Sequence, residues 1–493
     1  MAYKGLRDWM DQLEKAGLLK HITTQVDWDL ELCGISRRIV DQEGPALLFE
    51  NIKDYQKAAC SRLFFNGLGT RERVAMALQL PGNTPYRGIV KDLKDKLGRF
   101  IDPKKVTSAP VKKNIIKGEK INLFDFPVPR YNTLDGGRYI QTRGCVVTQD
   151  PDTKLMNVGM YRGMIGDKRS IPMLLARSQH WGIHFTKYEQ RGEEMPIAIA
   201  FGCDPILIMC SSTAIHHPHC SEYEVAGGIS GEPVELVKCE TSDLYVPANA
   251  EIIIEGKMPT DPKSFQMEGP FGEYTGFYGG MRQPRPTIRV ECITYRDNPI
   301  FHGGPVGISP GHSEESIVWT APMCAALAWK YLEDANVPNV LGVWGPPITA
   351  LANMRVQINN IYRGHAQQVA AALWSRADPH TAKNLIVVDK DIDVFDDEAV
   401  EWALAYRTNA ELGAVQFMSN TVGDLLDPST PLPQRNPMKY GIGKWKRMLI
   451  DATVNWELEP EEAYGGKREP PLCTEISKET TELINRRWKE YGV

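Results

Sequence analysis

The chain has 493 residues, 42% of them hydrophobic and 24% charged, with a formal net charge of −5. That length exceeds what one core fills, so two or three domains are expected. The acidic balance argues against a nucleic-acid binder, no apolar run reaches the length of a membrane span, and ten cysteines without a CxxC pair indicate neither a disulfide framework nor a cysteine zinc site.

Scattered thiols fit a reducing cytoplasm, and MAYKGLRDWMDQLEKAG offers no apolar signal core. Leu6, Trp9, Met10 and Leu13 repeat at helical spacing before Gly17, a suitable stop. Residues 46–49 read as a strand, 71–78 as a helix, and Gly67-Leu68-Gly69 as a turn, because it lacks a phosphate loop's third glycine and lysine. Pro103, Pro110 and the lysines 104, 112 and 113 suggest a linker over 103–118. From about 119 to 300 short β-rich runs (145–148, 197–200, 206–209, 251–254, 287–290) alternate with Gly and Pro, the texture of a barrel or sandwich. From about 315 strands and helices alternate: helix 321–332, strand 355–358, helix 365–374, strand 385–388 and helix 398–406 after the cap candidates Asp396 and Asp397. Asp389, Asp391 and Asp393 lie where this strand gives way to the helix, which favours a structural role over cation binding. Residues 475–491 read as a polar terminal helix with Ile476, Leu483, Ile484 and Trp488, a candidate for docking on another subunit.

The stretch that organises the chemistry is Gln266-Met267-Glu268-Gly269-Pro270-Phe271-Gly272-Glu273-Tyr274. Gly and Pro exclude a helix interior, so a stiff turn carries Glu268 and Glu273. Alone it reads as a surface turn with two solvated acids; aimed into one cavity, the pair could hold different protonation states. Asn157 to Arg162 adds an amide oxygen and a guanidinium, followed by Gln179-His180, Ser211-Ser212-Thr213 and Ser221-Glu222. Asn, His and Glu donors together suit Mg²⁺ or Mn²⁺ with a phosphate completing the shell. His216-His217-Pro218-His219-Cys220 looks like zinc, yet adjacent side chains of an extended segment point to opposite faces, which favours a loop flanking the real site.

In order and spacing, Asn157 to Arg162, Gln179-His180, Ser221-Glu222, residues 231–238 (GEPVELVK), Glu268 to Glu273, IYRGHA at 361–366 and the DIDVFD segment resemble the UbiD family of prenylated-FMN-dependent decarboxylases over nearly the whole chain. The resemblance implies a multidomain α/β fold: an amino-terminal α/β domain (1–118), a central split β-barrel binding the flavin (119–312), and a carboxy-terminal α/β oligomerisation domain (313–493). It implies Arg162, Glu268 and Glu273 as the catalytic set. Asn157, Met160, Tyr161, Arg162, Gln179, His180, Ser212, Thr213 and Glu222 are implied as cofactor-binding. Asn157, His180 and Glu222 would hold Mn²⁺ (or Mg²⁺) against the flavin phosphate, with K⁺ nearby at Ser212 and Glu222; at Ala214 a backbone carbonyl could serve. A homodimer or homohexamer in the cytoplasm is implied, with a flavin prenyltransferase as cofactor supplier. The chain departs from the family pattern at 216–220 and 301–312, which leaves the substrate open among aromatic, heteroaromatic and α,β-unsaturated acids.

The chemistry agrees. Losing CO₂ from such an acid leaves a carbanion that needs an electron sink no side chain supplies, so an organic cofactor is required. The prenylated flavin would bond covalently to the carbon beside the carboxylate, Arg162 would bind that carboxylate as a fork with Glu268 steadying it, and Glu273 would return the proton. Other readings are a flavin-dependent oxidoreductase on the same barrel, a zinc hydrolase built on His216, His217 and His219, and a carboxylase running the reaction backwards.

Overall fold

The computed structural model describes every residue except 1–2, 214, 216–219, 311, 313, 351, 376–381, 436–442, 475 and 493. Its first unit is built as the periodicity predicts. The helix Leu6–Lys15 buries Leu6, Trp9, Met10 and Leu13, and Gly17 follows it at φ +71°. A four-stranded sheet runs Leu19–Ile22, Ala46–Phe49, Arg62–Phe65, Ile300–His302. The last strand comes from far along the sequence and pairs in parallel with Arg62–Phe65, tying the amino-terminal unit to the centre.

The central sheet is seven-stranded, and its pairs are antiparallel. Its path is Asn114–Lys117, Thr287–Tyr295, Ile252–Met258, Met195–Phe201, Cys145–Gln149, Met156–Gly159, with Ser170–Pro172 added beside Thr287–Tyr295. Among the described residues this path has two ends and so does not close by hydrogen bonding. Two expectations are corrected here. Residues 103–118 are not a free linker, because Lys104–Val106 pairs with Glu235–Lys238 and Asn114–Lys117 with Thr287–Tyr295. The run 206–209 is not a strand but part of the helix Pro205–Ser211, which Asp204 caps through Leu207 N and Pro205 opens. All seven residues of that helix are buried, so no polar face betrays its period.

The carboxy-terminal sheet runs Val340–Trp344, Asn353–Ile358, Asn384–Asp389, Lys444–Ala452, Val415–Val422, parallel through its middle. The helix Glu315–Asp334 packs against Tyr86–Lys96 of the first unit and against this sheet's first strand. Helices His365–Trp374 and Asp397–Tyr406 fall as expected, the latter capped by Asp396. The aspartates after Asn384–Asp389 are spent on structure: Asp391 pairs with Arg407, Asp393 with Arg87, and Asp389 accepts backbone N–H groups. The helix Lys478–Arg487 and the turn after it leave Ile476, Leu483 and Trp488 exposed.

Candidate active site

The loop after Gln266–Glu268 is held from below. Gly136 N donates to Pro270 O at 2.8 Å, and a Cβ on Gly136 would lie 2.0 Å from Gly269 O, so the chain there can only be glycine. Asp135 accepts from Gly272 N at 2.9 Å, and the Phe271 ring lies 4.1 Å from that of Tyr139. The Gly269–Pro270 peptide is cis. These contacts turn both acids inward: Glu268 is 0% and Glu273 5% exposed.

Between them lies Arg162, just beyond the strand Met156–Gly159. Its Nε and Nη2 face Glu268 at 3.0 and 3.1 Å, and its Nη1 donates to Glu273 and, at 3.3 Å, to Gly279 O. Glu268 also accepts from the Tyr139 hydroxyl at 2.8 Å, with Arg285 Nε 3.6 Å away. Burial alone would favour a neutral guanidinium, but Glu268 and Glu273 outweigh it and raise the Arg162 pKa. For Glu273 the order is reversed: burial raises its pKa more than Arg162 lowers it. Two acids on one cation therefore differ in kind. Glu268 is braced on several sides, and Glu273 is inclined to hold a proton.

This group faces a cavity of about 220 Å³. Of the predicted cofactor residues, Met160, Tyr161, Arg162, Gln179 and Ser212 line it, as does Glu273. Thr213 does not; it is buried and its hydroxyl donates to Met209 O. Val306, from the stretch 301–312 where the chain departs from the family pattern, also lines the cavity; Ile317, Asp424, Leu425 and Leu426, from further along the chain, were not foreseen. Burial with the Glu273 charge nearby pushes the Asp424 carboxyl up to about 7. Tyr139 and Arg285, which brace Glu268, were also missed, since no spacing in the sequence links them to it.

The predicted metal ligands gather around the strand Met156–Gly159, which carries Asn157. His180 and Glu222 are each the first residue of a helix, and both helices pack on this strand. A Cβ on Gly182 would lie 2.0 Å from Ala176 O, so glycine lets the His180 helix seat this closely. Glu222 Oε2 accepts from Val158 N at 2.7 Å, and burial pushes its carboxyl to about 8. Asn157 Nδ2 donates to the Tyr161 hydroxyl at 3.3 Å, and the Tyr161 ring stacks 4.3 Å from Trp181. Asn157 lies on this strand while His180 and Glu222 open the two helices packed on it, and an amide, an imidazole and a buried carboxyl are donors of the kind a divalent cation takes. Ser212 accepts from Trp319 Nε1 at 2.9 Å and donates to Met209 O. The His216–His219 zinc alternative and Ala214 lie outside the described residues. Among the described residues no group of three His, Cys, Asp or Glu could hold a metal, and no helix is long and apolar enough to cross a membrane.

Three sequence profiles match in succession: the 3-octaprenyl-4-hydroxybenzoate carboxy-lyase N-terminal domain at residues 10–93, its Rift-related domain at 104–309, and its C-terminal domain at 317–452. A phenolic acid decarboxylase of Bacillus subtilis is 32% identical over 501 residues, covering 99% of this chain and 100% of that protein. The closed form of vanillic acid decarboxylase from Sedimentibacter hydroxybenzoicus superposes with a TM-score of 0.87 at 31% identity, over 100% of this chain and 99% of that one. An evolved dimeric form of a UbiD-class enzyme from Pelotomaculum thermopropionicum, in complex with prFMN, gives 0.77 at 28% identity, over 97% of this chain and 100% of that one.

Proposed function

Because the chain belongs to the UbiD family of carboxy-lyases, we propose that it carries out the reversible, non-oxidative decarboxylation of an aromatic, heteroaromatic or α,β-unsaturated acid with prenylated FMN. The observation that carries this reading is Arg162, buried at a cavity wall and shared by two acids of unequal character. A flavin oxidoreductase has no use for that set.

Prenylated FMN, when bound, supplies the sink for the electron pair left as the carbon–carboxylate bond breaks. Asn157, His180 and Glu222 would hold Mn²⁺ or Mg²⁺ against its phosphate, with K⁺ close to Ser212 and Glu222. The rest falls to this chain. An arriving carboxylate competes with Glu273 for Arg162 Nη1, the one guanidinium nitrogen Glu268 does not face. Once displaced, Glu273 loses its hydrogen bond to Arg162, one of the influences that lower its pKa, while burial and the nearby Glu268 and Glu314 charges still raise it, so it takes up a proton. Glu268, steadied by Tyr139, keeps the fork flat toward the substrate. When CO₂ has left, Glu273 gives its proton to the carbon that lost it and is recharged from solvent. The apolar wall of Phe271, Val306, Ile317 and Leu425 suits the ring or alkene of the acid.

The cofactor requires a flavin prenyltransferase as supplier, and the exposed apolar residues of the terminal helix favour self-association. The reading is tested by co-producing the protein with such a transferase and screening aromatic and unsaturated acids for loss of substrate and release of CO₂. Turnover of NADH without decarboxylation of any acid would replace it with the oxidoreductase reading.

A further inference from the structure

A second cavity, of about 240 Å³, adjoins the first. Tyr274 and Asp424 belong to the walls of both. The Tyr274 hydroxyl donates to Asp424 Oδ2, and Asp424 Oδ1 accepts from Leu426 N at 2.8 Å. Thr275 Oγ1, next along the loop, donates to Leu426 O at 3.4 Å. The residue that follows the proposed proton donor is thus fastened to the carboxy-terminal domain at the boundary between two spaces.

We propose that Tyr274, held in place by Asp424, is a specificity-determining partition that limits how long an acid the site accepts. This rests on the decarboxylase reading of the first cavity. Proposed cofactor residues also line that cavity, so the acid has only part of its roughly 220 Å³, and the further space of about 240 Å³ lies behind Tyr274. The space behind Tyr274 suits an uncharged extension. Lys383 Nζ and Trp445 Nε1 both donate to Asp427 Oδ2 at 2.8 Å, so the lysine charge is already matched, and Thr349 and Asn384 supply polar wall. An aryl or amide extension is accommodated there, and a second carboxylate gains nothing. Asp424 is a positioning residue that acts through Tyr274.

The test uses the holoenzyme and two acids, 4-hydroxybenzoate and the biaryl 4′-hydroxybiphenyl-4-carboxylate, with binding read by calorimetry alongside turnover. Tyr274→Ala should improve the affinity for the biaryl acid relative to the monocyclic one by at least about tenfold. Tyr274→Phe keeps the ring without its hydroxyl and should shift the ratio less, with Asp424→Asn resembling Tyr274→Phe. Where Tyr274→Ala does not fold, Tyr274→Leu makes the same comparison. A folded variant with the wild-type ratio overturns the proposal, as does a wild type that binds the biaryl acid as tightly as the monocyclic one or binds neither. Binding with the expected ratio but no turnover of either acid supports the partition and counts against the decarboxylase reading instead.

Discussion

Glu268 grips Arg162 along one edge of the guanidinium, Nε at 3.0 Å and Nη2 at 3.1 Å. That grip leaves Nη1 as the nitrogen that can change partner. Only a planar, five-donor group can be held on one side and remain available on the other. The two acids of the loop consequently have separate tasks, although they stand five residues apart in one turn.

Arg162→Lys should therefore cost more than a charge-conserving change suggests. The ammonium can satisfy Glu268 or reach the substrate, but cannot do both in fixed geometry. We expect kcat/KM to fall by at least about tenfold, roughly 1.4 kcal/mol of transition-state binding. An unchanged value would remove Arg162 from carboxylate recognition.

Tyr139→Phe probes the brace behind Glu268. The variant keeps the ring that packs on Phe271 but withdraws the hydroxyl 2.8 Å from a fully buried carboxylate. Losing a hydrogen bond to a buried charged group typically costs about 1.5–3 kcal/mol. We expect a fall in kcat/KM of about tenfold or more with flavin content unchanged. Equal loss of flavin and activity would mean that the brace serves cofactor binding.

His180→Ala and Glu222→Ala test the metal set. Changes one shell out typically cost about 10–100-fold in metal affinity, so loss of a direct ligand should cost at least about that much. Both variants should purify with little flavin absorbance and little Mn²⁺, although the fold persists. Full flavin and full metal in either would take that residue out of the set.

Much of this was legible in the sequence, and for definite reasons. The first helix announced itself because Leu6, Trp9, Met10 and Leu13 face one core while charged residues face water. The Glu268 to Glu273 turn was visible because Gly and Pro leave the chain few other conformations. The helix Pro205–Ser211 was misread because it is buried all round, and a run of Ile and Leu without a polar face has no period. Residues 103–118 read as a linker because Pro103, Pro110 and the lysines 104, 112 and 113 mask two short strands, Lys104–Val106 and Asn114–Lys117, whose partners lie more than a hundred residues away. The same distance hid Asp424, Leu425 and Leu426. They reach the cavity from another domain, and local pattern cannot report a wall assembled at that separation.

Asp424 makes a prediction about stability. Burial holds its carboxyl at about 7 in the fold against an ordinary 3.8. The native chain thus binds this proton more tightly than the unfolded chain. The contribution is complete below the ordinary carboxylate range and is lost as pH rises through about 7. Wild type should lose stability relative to Asp424→Asn between pH 4 and pH 8, by at most roughly 4 kcal/mol. Thermal midpoints of the two proteins across that range measure it, and a constant difference would show that Asp424 does not titrate there.

Glu273→Gln separates a proton donor from an acid that merely positions Arg162. The amide preserves size and can still hydrogen-bond, but has no proton to give at neutral pH. If Glu273 protonates the carbon that lost CO₂, the variant should keep its flavin and bind substrate normally. Turnover should drop by the roughly 10²–10⁴-fold that general acid catalysis contributes. In D₂O the wild type should place one deuterium on that carbon, since Glu273 exchanges with solvent between turnovers. The pH profile carries the same sign: the raised pKa keeps the acid form to higher pH, so the rate of the protonation step should fall as pH rises through it, and Glu273→Gln should lack that limb. Near-normal turnover and deuterium incorporation in Glu273→Gln would assign the proton to another group. Glu268 would be next in line, and the turn that carries both acids would then serve only to hold Arg162.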